Sequence, residues 1–182
     1  PCCTDLTVAA GIARAVVGIA DPDPRTAGDG IARLRAAGIE TLLLDDAQCR
    51  ASLAGYLTRA ALGRPFVTLK LALTADGFVA RLDGTSKWIT GEPARAHAHL
   101  ERARSDAILV GGGTLRTDAP RLDVRLPGLE SRSPARFVLT RGEAPQGWGR
   151  LSSPQDIAAL EGVQYVMVEG GAQVAAAFLD AG

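Results

Sequence analysis

Short apolar runs of strand length alternate with helical patterns along most of this chain. Leu6 to Ile12 is an apolar helical stretch, and Arg14 to Ala20 reads as a buried strand. Gly30 to Ala37 carries Ile31, Leu34 and Ala37 at helical spacing, with Gly38 placed as a C-terminal cap. Ile39 to Leu44 is a second strand, so a right-handed β-α-β crossover between parallel strands is expected. Asp45 to Leu62 reads as one helix, with Asp45 or Asp46 near its start and Gly63 past its end. Gly63-Arg64-Pro65 breaks the pattern, which predicts a first unit of residues 1–62 and a second of 63–182.

The second unit repeats the alternation. Phe66 to Leu73 is a strand interrupted by Lys70, and Asp76-Gly77 is a turn followed by a short extended piece, Phe78 to Ala80. Thr90 is placed to cap a helix starting near Gly91, with Glu92 and Pro93 in its first turn. On that helix Ala96, Leu100, Ala103 and Ala107 share one face, and Arg95, His99 and Arg102 share another. Leu115 to Arg121 is irregular or helical, Asp123 to Arg125 is extended, and Arg136 to Thr140 is a strand. Arg141 to Ser153 reads as loop and Pro154 to Leu160 as a short helix. Tyr165 to Val168 is a buried strand, and Gly170 to Ala181 is a helix with Val174, Ala177 and Phe178 inward. The alternation argues for an α/β fold with a mainly parallel sheet.

Two of these strands end in glycines. Ala107-Ile108-Leu109-Val110 runs into Gly111-Gly112-Gly113-Thr114, and Val166-Met167-Val168-Glu169 runs into Gly170-Gly171. Glycine lets backbone approach a ligand closely, and a helix start offers unpaired N–H groups. Such corners suit phosphate oxygens, and they also suit tight packing of a helix on a strand. The dinucleotide fingerprint GxGxxG and the Walker A pattern are both missing, so a nucleotide reading needs another α/β cradle.

Composition narrows the partners. Twenty basic residues balance twenty acidic ones, so no net field favours nucleic acid or a membrane surface. No apolar stretch approaches the ~20 residues that span a bilayer. Three cysteines, two of them adjacent, fit a reducing compartment better than a disulfide framework, which points to the cytoplasm. Cys49 reads as a small buried or half-buried thiol.

Several side chains are placed for chemistry. Lys70 sits in an apolar strand before a turn, aimed at a cleft or at solvent. Ser86 offers a neutral hydrogen bond beside Trp88, which is either a flat surface for a ring or an anchor for the helix entry. Arg102 and Arg125 suit phosphate oxygens or the surface. Thr114 and Asp118 flank the Gly111 turn, and Glu169 ends a buried strand, where ligands meet open α/β sheets. A buried Glu169 requires a partner. His97 and His99, two apart on a helix, do not readily ligate one metal and read as non-catalytic.

In order along the chain, these segments resemble the bifunctional riboflavin-biosynthesis deaminase/reductase family. The likeness rests on Pro1-Cys2-Cys3-Thr4-Asp5, Ala9 to Arg14, Asp21-Pro22-Asp23-Pro24, Leu69-Lys70-Leu71-Ala72 with Asp76-Gly77, and Ser86-Lys87-Trp88-Ile89-Thr90-Gly91. It continues through Arg102 to Leu109, Gly113-Thr114, Asp118 to Leu122, Val124-Arg125 and Val168 to Ala172. The resemblance implies a reductase domain with a dihydrofolate-reductase-like fold, incomplete at its C-terminus. It also implies that a β-α-β remnant of a cytidine-deaminase-like domain precedes it.

The resemblance further implies NADPH-dependent reduction of a phosphoribosylaminopyrimidine, in which a ribosyl group becomes ribityl. By position, Ala72, Trp88, Thr114, Asp118 and Gly171, Ala172, Gln173, Val174, Ala175, Ala176 and Ala177 match cofactor contacts. Ser86, Arg102, Leu122, Arg125 and Glu169 match substrate contacts, and Lys70 and Asp118 are the catalytic candidates. Cys2 matches one zinc ligand of the deaminase. Zinc takes about four ligands, so that site is expected to be incomplete and deaminase activity is not expected. No nucleic acid or membrane partner is implied, and a homo-oligomer is left open. Thr117-Asp118-Ala119-Pro120 departs from the usual Ala-Asp-Asp-Pro, and Thr140-Arg141 stands where Asp-Ser is common. Two other readings stand beside this one. The chain is then a non-catalytic or inactive NADPH-binding module, or a related reductase acting on another pyrimidine or pteridine.

Overall fold

The computed structural model describes residues 2–23, 25–86 and 88–182; Pro1, Pro24 and Lys87 of the motifs above lie outside the described residues. The chain divides into two compact units that meet between Gly63 and Arg64.

In the first unit, α1 (Cys3–Ala9) precedes a parallel pair, β1 (Arg14–Val17) and β2 (Glu40–Leu43), joined through α2 (Asp29–Ala36). Leu34 and Ile39 are its buried apolar residues. The predicted single helix is two, α3 (Ala47–Ser52) and α4 (Ala54–Leu62), because Leu53 leaves helical geometry at ψ 15°. Asp46 caps α3 by accepting the Cys49 N–H at 2.9 Å. Cys49 is half-buried and packs so closely on Gly18 that a side chain there would collide with its sulfur.

The second unit is one five-stranded parallel sheet in the order β3-β7-β4-β5-β6. Its strands are β3 (Phe66–Leu69), β4 (Ala107–Gly111), β5 (Ala135–Leu139), β6 (Gly149–Leu151) and β7 (Tyr165–Val168). Three helices accompany them: α5 (Glu92–Ala103), α6 (Gly112–Asp118) and α7 (Ala172–Asp180). The chain lays β4, β5 and β6 side by side, then returns to insert β7 between β3 and β4. Such a reversal of strand order leaves a crevice at the carboxyl ends of the strands.

β4 and β7 are central and covered on both faces, so they read as continuous apolar runs. Ala107, Leu109, Val166 and Val168 pack with Ile157 and with Phe178 of α7 on one face. Ile108, Val110 and Met167 pack with Leu122 on the other. Each fully buried Leu, Ile, Val or Met contributes roughly 1.5–3 kcal/mol of transfer free energy. Asp106 ties the strand entries together: its Oδ2 accepts the N–H groups of Gln164 at 2.8 Å and Tyr165 at 2.9 Å.

Some sequence expectations change. β3 stops at Leu69, short of Leu73, because its partner β7 ends at Val168 and turns into the glycines. Gly91 is the N-cap of α5, with no side-chain cap from Thr90. Ala107 belongs to β4 and leaves the helical face assigned to it, since α5 ends at Ala103. β6 lies within the segment expected to be loop, and Phe78 to Ala80 forms no strand. Among the described residues, no helix is long and apolar enough to cross a membrane.

Candidate active site

The period-two alternation of strands builds the site. Leu69 pairs with Val168, and Val168 with Leu109, so all three face the α7 side. The next residues therefore face the α5 side: Lys70 after β3 and Glu169 after β7, beside Val110. Backbone bonds hold them in register, Lys70 N to Val168 O at 2.9 Å and Glu169 N to Leu109 O at 2.9 Å. α5 supplies the partner from above. Its last turn carries Arg102, whose Nε donates to Glu169 Oε1 at 2.6 Å and whose Nη2 donates to Oε2 at 2.8 Å. Arg102 Nη1 donates to Asp123 O at 2.9 Å.

This is a bidentate, charge-assisted pair at a nearly dry position, with 13% and 8% side-chain exposure. Lys70 Nζ lies 3.9 Å from Glu169 Oε2 and stays 37% exposed, open to a ligand. One carboxylate thus sits between two cations. The buried Glu169 has the partner that its position demanded, and Arg102 spends three donor directions inside the protein.

A second cluster adjoins. Asp123 receives Arg125 Nη1 at 2.5 Å and Arg121 Nη2 at 2.5 Å. Those two guanidiniums hold its carboxyl below the usual range against the burial that would raise it. With Val124, Pro127, Glu130 and Ser133 they line a cleft of about 390 Å³. His99 of α5 borders the cluster and accepts the Arg125 N–H on Nδ1 at 3.2 Å. Burial, then Arg102 and Arg125, push the His99 imidazole below its ordinary value. The backbone between α6 and this cluster is strained: Ala119 has φ 40° and the buried Leu122 φ 54°.

The glycine corners come together at adjacent strand ends, but the glycines do different jobs. A Cβ at Gly111 would lie 2.5 Å from Val174 Cγ2, and one at Gly170 would lie 2.6 Å from Val174 Cβ. These two are small because Val174 of α7 packs on them. Gly113 faces open space, and a Cβ at Gly171 would touch only Thr114 Oγ1, at 3.8 Å. So Thr114 and the start of α7 are neighbours, with Gly171 as its N-cap and Ala172 to Ala175 in its first turn. Val174 and Ala175 N–H donate to Gly171 O at 3.0 and 3.1 Å, so the place for an anion is the helix start before them, Gly171 to Gln173.

Other sequence candidates lie elsewhere. Trp88 is exposed, with the Arg95 guanidinium 4.5 Å above its ring, and Arg95 Nη1 donates to Thr90 O at 2.5 Å. Ser86 and Trp88 line a cavity of about 1020 Å³ formed by the loop from Leu73 to Ile89, which Lys70, Arg102 and Glu169 do not line. Ala72 is half-buried beyond β3. Asp118 is exposed at the C-terminal end of α6, and among the described residues no hydrogen bond or ion pair links it to Lys70 or Glu169. Asp123 and the acceptor role of His99 were missed from sequence; the i, i+3 spacing of His99 and Arg102 on one helix face was the available signal. A zinc site does not fit. Arg33 Nη1 donates to Cys2 Sγ at 3.4 Å, and among the described residues no group of three or more His, Cys, Asp or Glu is placed to hold a metal ion.

Residues 65–148 match the family model described as the RibD C-terminal domain. The riboflavin biosynthesis protein RibD of Corynebacterium ammoniagenes is 40% identical over 197 aligned positions, covering 99% of this chain and 58% of that protein. The chain is similar to RibD proteins along almost its whole length. RibD of Chlamydia trachomatis serovar D is 42% identical over 149 positions, 80% of this chain and 40% of that protein. The crystal structure of a diaminohydroxyphosphoribosylaminopyrimidine deaminase/5-amino-6-(5-phosphoribosylamino)uracil reductase from Thermotoga maritima superposes with a TM-score of 0.86 at 32% identity. It covers 100% of this chain and 60% of the other. An Acinetobacter baumannii RibD structure gives 0.84 at 29% identity, over 100% and 61%. The chain therefore spans 40% to 61% of the length of these relatives. These likenesses agree with the α/β fold and the reductase family implied by the sequence.

Proposed function

We propose that the second unit is an NADPH-dependent reductase of riboflavin biosynthesis that converts 5-amino-6-(5-phosphoribosylamino)uracil to its ribitylamino product. The observation that carries this reading is the Lys70–Glu169–Arg102 array at the sheet's carboxyl edge, next to two joined glycine corners. NADPH, when bound, supplies a hydride. The residues present fit it: Thr114 and the first turn of α7, from Gly171 onward, would hold its phosphates through backbone N–H groups. Trp88, Ala72 and Asp118 are proposed along the same cofactor.

The protein's own work is to orient the sugar and supply one proton. Opening the ribosyl ring breaks the C1–O bond, and the ring oxygen must be protonated as C1 becomes able to accept hydride. Lys70, an ammonium that is partly exposed, holds a proton at that position, with Glu169 Oε2 3.9 Å from its Nζ to aim it. This favours Lys70 over Asp118 as proton donor. Arg102, with its fork on Glu169 and Nη1 on Asp123 O, fixes that carboxylate, and the exposed Arg125 is the cation proposed for the substrate phosphate. The test is NADPH oxidation with the aminopyrimidine substrate. Lys70→Met is expected to lower kcat by about 10²–10⁴-fold, the usual range for a lost general acid, with NADPH affinity retained. An unchanged kcat would remove Lys70 from the chemistry.

A further inference from the structure

The segment Asp123–Arg125 is held like a short strand by side chains rather than by another strand. Arg102 Nη1 binds Asp123 O at 2.9 Å, His99 Nδ1 accepts the Arg125 N–H at 3.2 Å, and Ser133 Oγ accepts the Val124 N–H at 2.9 Å. Val124 is buried at 2% exposure, which fixes the centre of the segment. α5 therefore grips alternate backbone groups of this segment with His99 and Arg102, one turn apart. Only His99 can let go. An arginine stays charged and donates at any working pH, whereas the imidazole accepts only when neutral, with its proton on Nε2.

We propose that His99 is a positioning residue: its neutral imidazole ties the Arg125 backbone to α5, and its protonation frees the segment and weakens binding of a phosphorylated sugar beside Arg125. The ligand half of this statement rests on the reductase reading above. A protonated His99 would present two N–H donors and no lone pair, so the bond to the Arg125 N–H is lost. Arg102, from its own helix, and Arg125, from the held segment, oppose that protonation, whereas the Asp123 backbone carbonyl and Glu169, the latter already occupied by Arg102, favour it. Asp123, joined to the same segment, is engaged by Arg121 and Arg125. Burial and the two arginines accordingly depress the His99 imidazole. Loss of one such hydrogen bond corresponds to roughly a 2–12-fold change in an equilibrium.

The experiment follows the Arg125 amide by ¹H–¹⁵N NMR in the whole chain across the range where histidine titrates, beside KM and kcat. In the wild type the Arg125 amide is expected to shift with the same midpoint as the His99 ring. KM for the aminopyrimidine should rise roughly 2–12-fold on acidification, with kcat falling less. His99→Asn places an amide oxygen where Nδ1 stood, so its Arg125 amide should stay in the bonded position at every pH and its KM should lose the acid rise. His99→Ala should show the released amide position throughout. An Arg125 amide that ignores pH in the wild type overturns the proposal. An amide that titrates with His99 while NADPH is never oxidised supports the tie and removes the reductase reading instead.

Discussion

Arg102 and Glu169 meet fork to fork across 67 residues of sequence, Nε to Oε1 at 2.6 Å and Nη2 to Oε2 at 2.8 Å. The contact joins the last turn of α5 to the end of a central strand, and it turns a costly buried carboxylate into a fixed part of the site. A buried ion pair is costly to break from one side, because the remaining charge loses its compensation. Arg102→Ala is expected to destabilise the protein by about 3–5 kcal/mol, since among the described residues Lys70 at 3.9 Å is the one cation left to pair with the carboxylate. Glu169→Gln keeps an oxygen for Arg102 and should cost less, about 1–3 kcal/mol. Urea unfolding of both variants measures this, and equal small losses in the two would show that the pair is not holding the site.

The glycine corners separate packing from binding. Gly170→Ala must move Val174, which costs about 1–3 kcal/mol. Val174→Ala should recover little of that loss, because the Val174 Cβ itself lies 2.6 Å away, and should recover more in Gly111→Ala, where the close atom is Cγ2 at 2.5 Å. Gly171→Ala meets nothing closer than Thr114 Oγ1 at 3.8 Å and should leave the melting temperature nearly unchanged. It should nevertheless weaken NADPH binding in calorimetry, because a methyl group would then stand where the phosphates approach. A Gly171→Ala variant that binds NADPH as the wild type does would move the cofactor away from the start of α7.

Ala119 carries φ 40°, a left-handed conformation that a side chain disfavours. Ala119→Gly is expected to stabilise the protein by about 0.5–1 kcal/mol, seen as a higher Tm. A lower Tm would mean that restriction of the unfolded chain outweighs relief of the strain.

His99 also ties stability to pH. Its folded value lies below the ordinary 6.5, so the unfolded chain takes up the proton first as pH falls. Its contribution to stability is therefore complete above 6.5 and declines as pH falls from there, until the folded imidazole protonates too. The depressed aspartates, Asp123 and Asp156 among them, follow the same sign but titrate in the more acid carboxylate range. Urea midpoints at neutral and mildly acid pH should diverge for the wild type and converge for His99→Asn. Equal slopes in the two proteins would assign the dependence to other groups.

Much of the architecture was legible because burial writes plainly into sequence. Tyr165–Val168 and Ala107–Gly111 are covered on both faces and stand out as unbroken apolar runs. β6 was not, since Gly149-Arg150-Leu151 holds one buried apolar side chain and forms a strand only because Phe137 to Leu139 pair with it. The break at Leu53 likewise has no proline or glycine at that position to announce it. Of the site, the strand-end positions of Lys70 and Glu169 follow from alternation. Their union with Arg102 does not, because no local pattern connects residues 67 apart. The glycines were ambiguous until Val174 showed which of them packing requires.

The most direct measurement follows the hydrogen itself. The protein is incubated with the aminopyrimidine substrate and NADPH carrying deuterium on the nicotinamide, and the product is read by NMR and mass spectrometry. The account predicts one deuterium at C1 of the ribityl chain per NADPH oxidised, and its loss in Lys70→Met. Deuterium elsewhere in the product, or turnover without NADPH oxidation, would contradict a reductase site at the ends of β3 and β7.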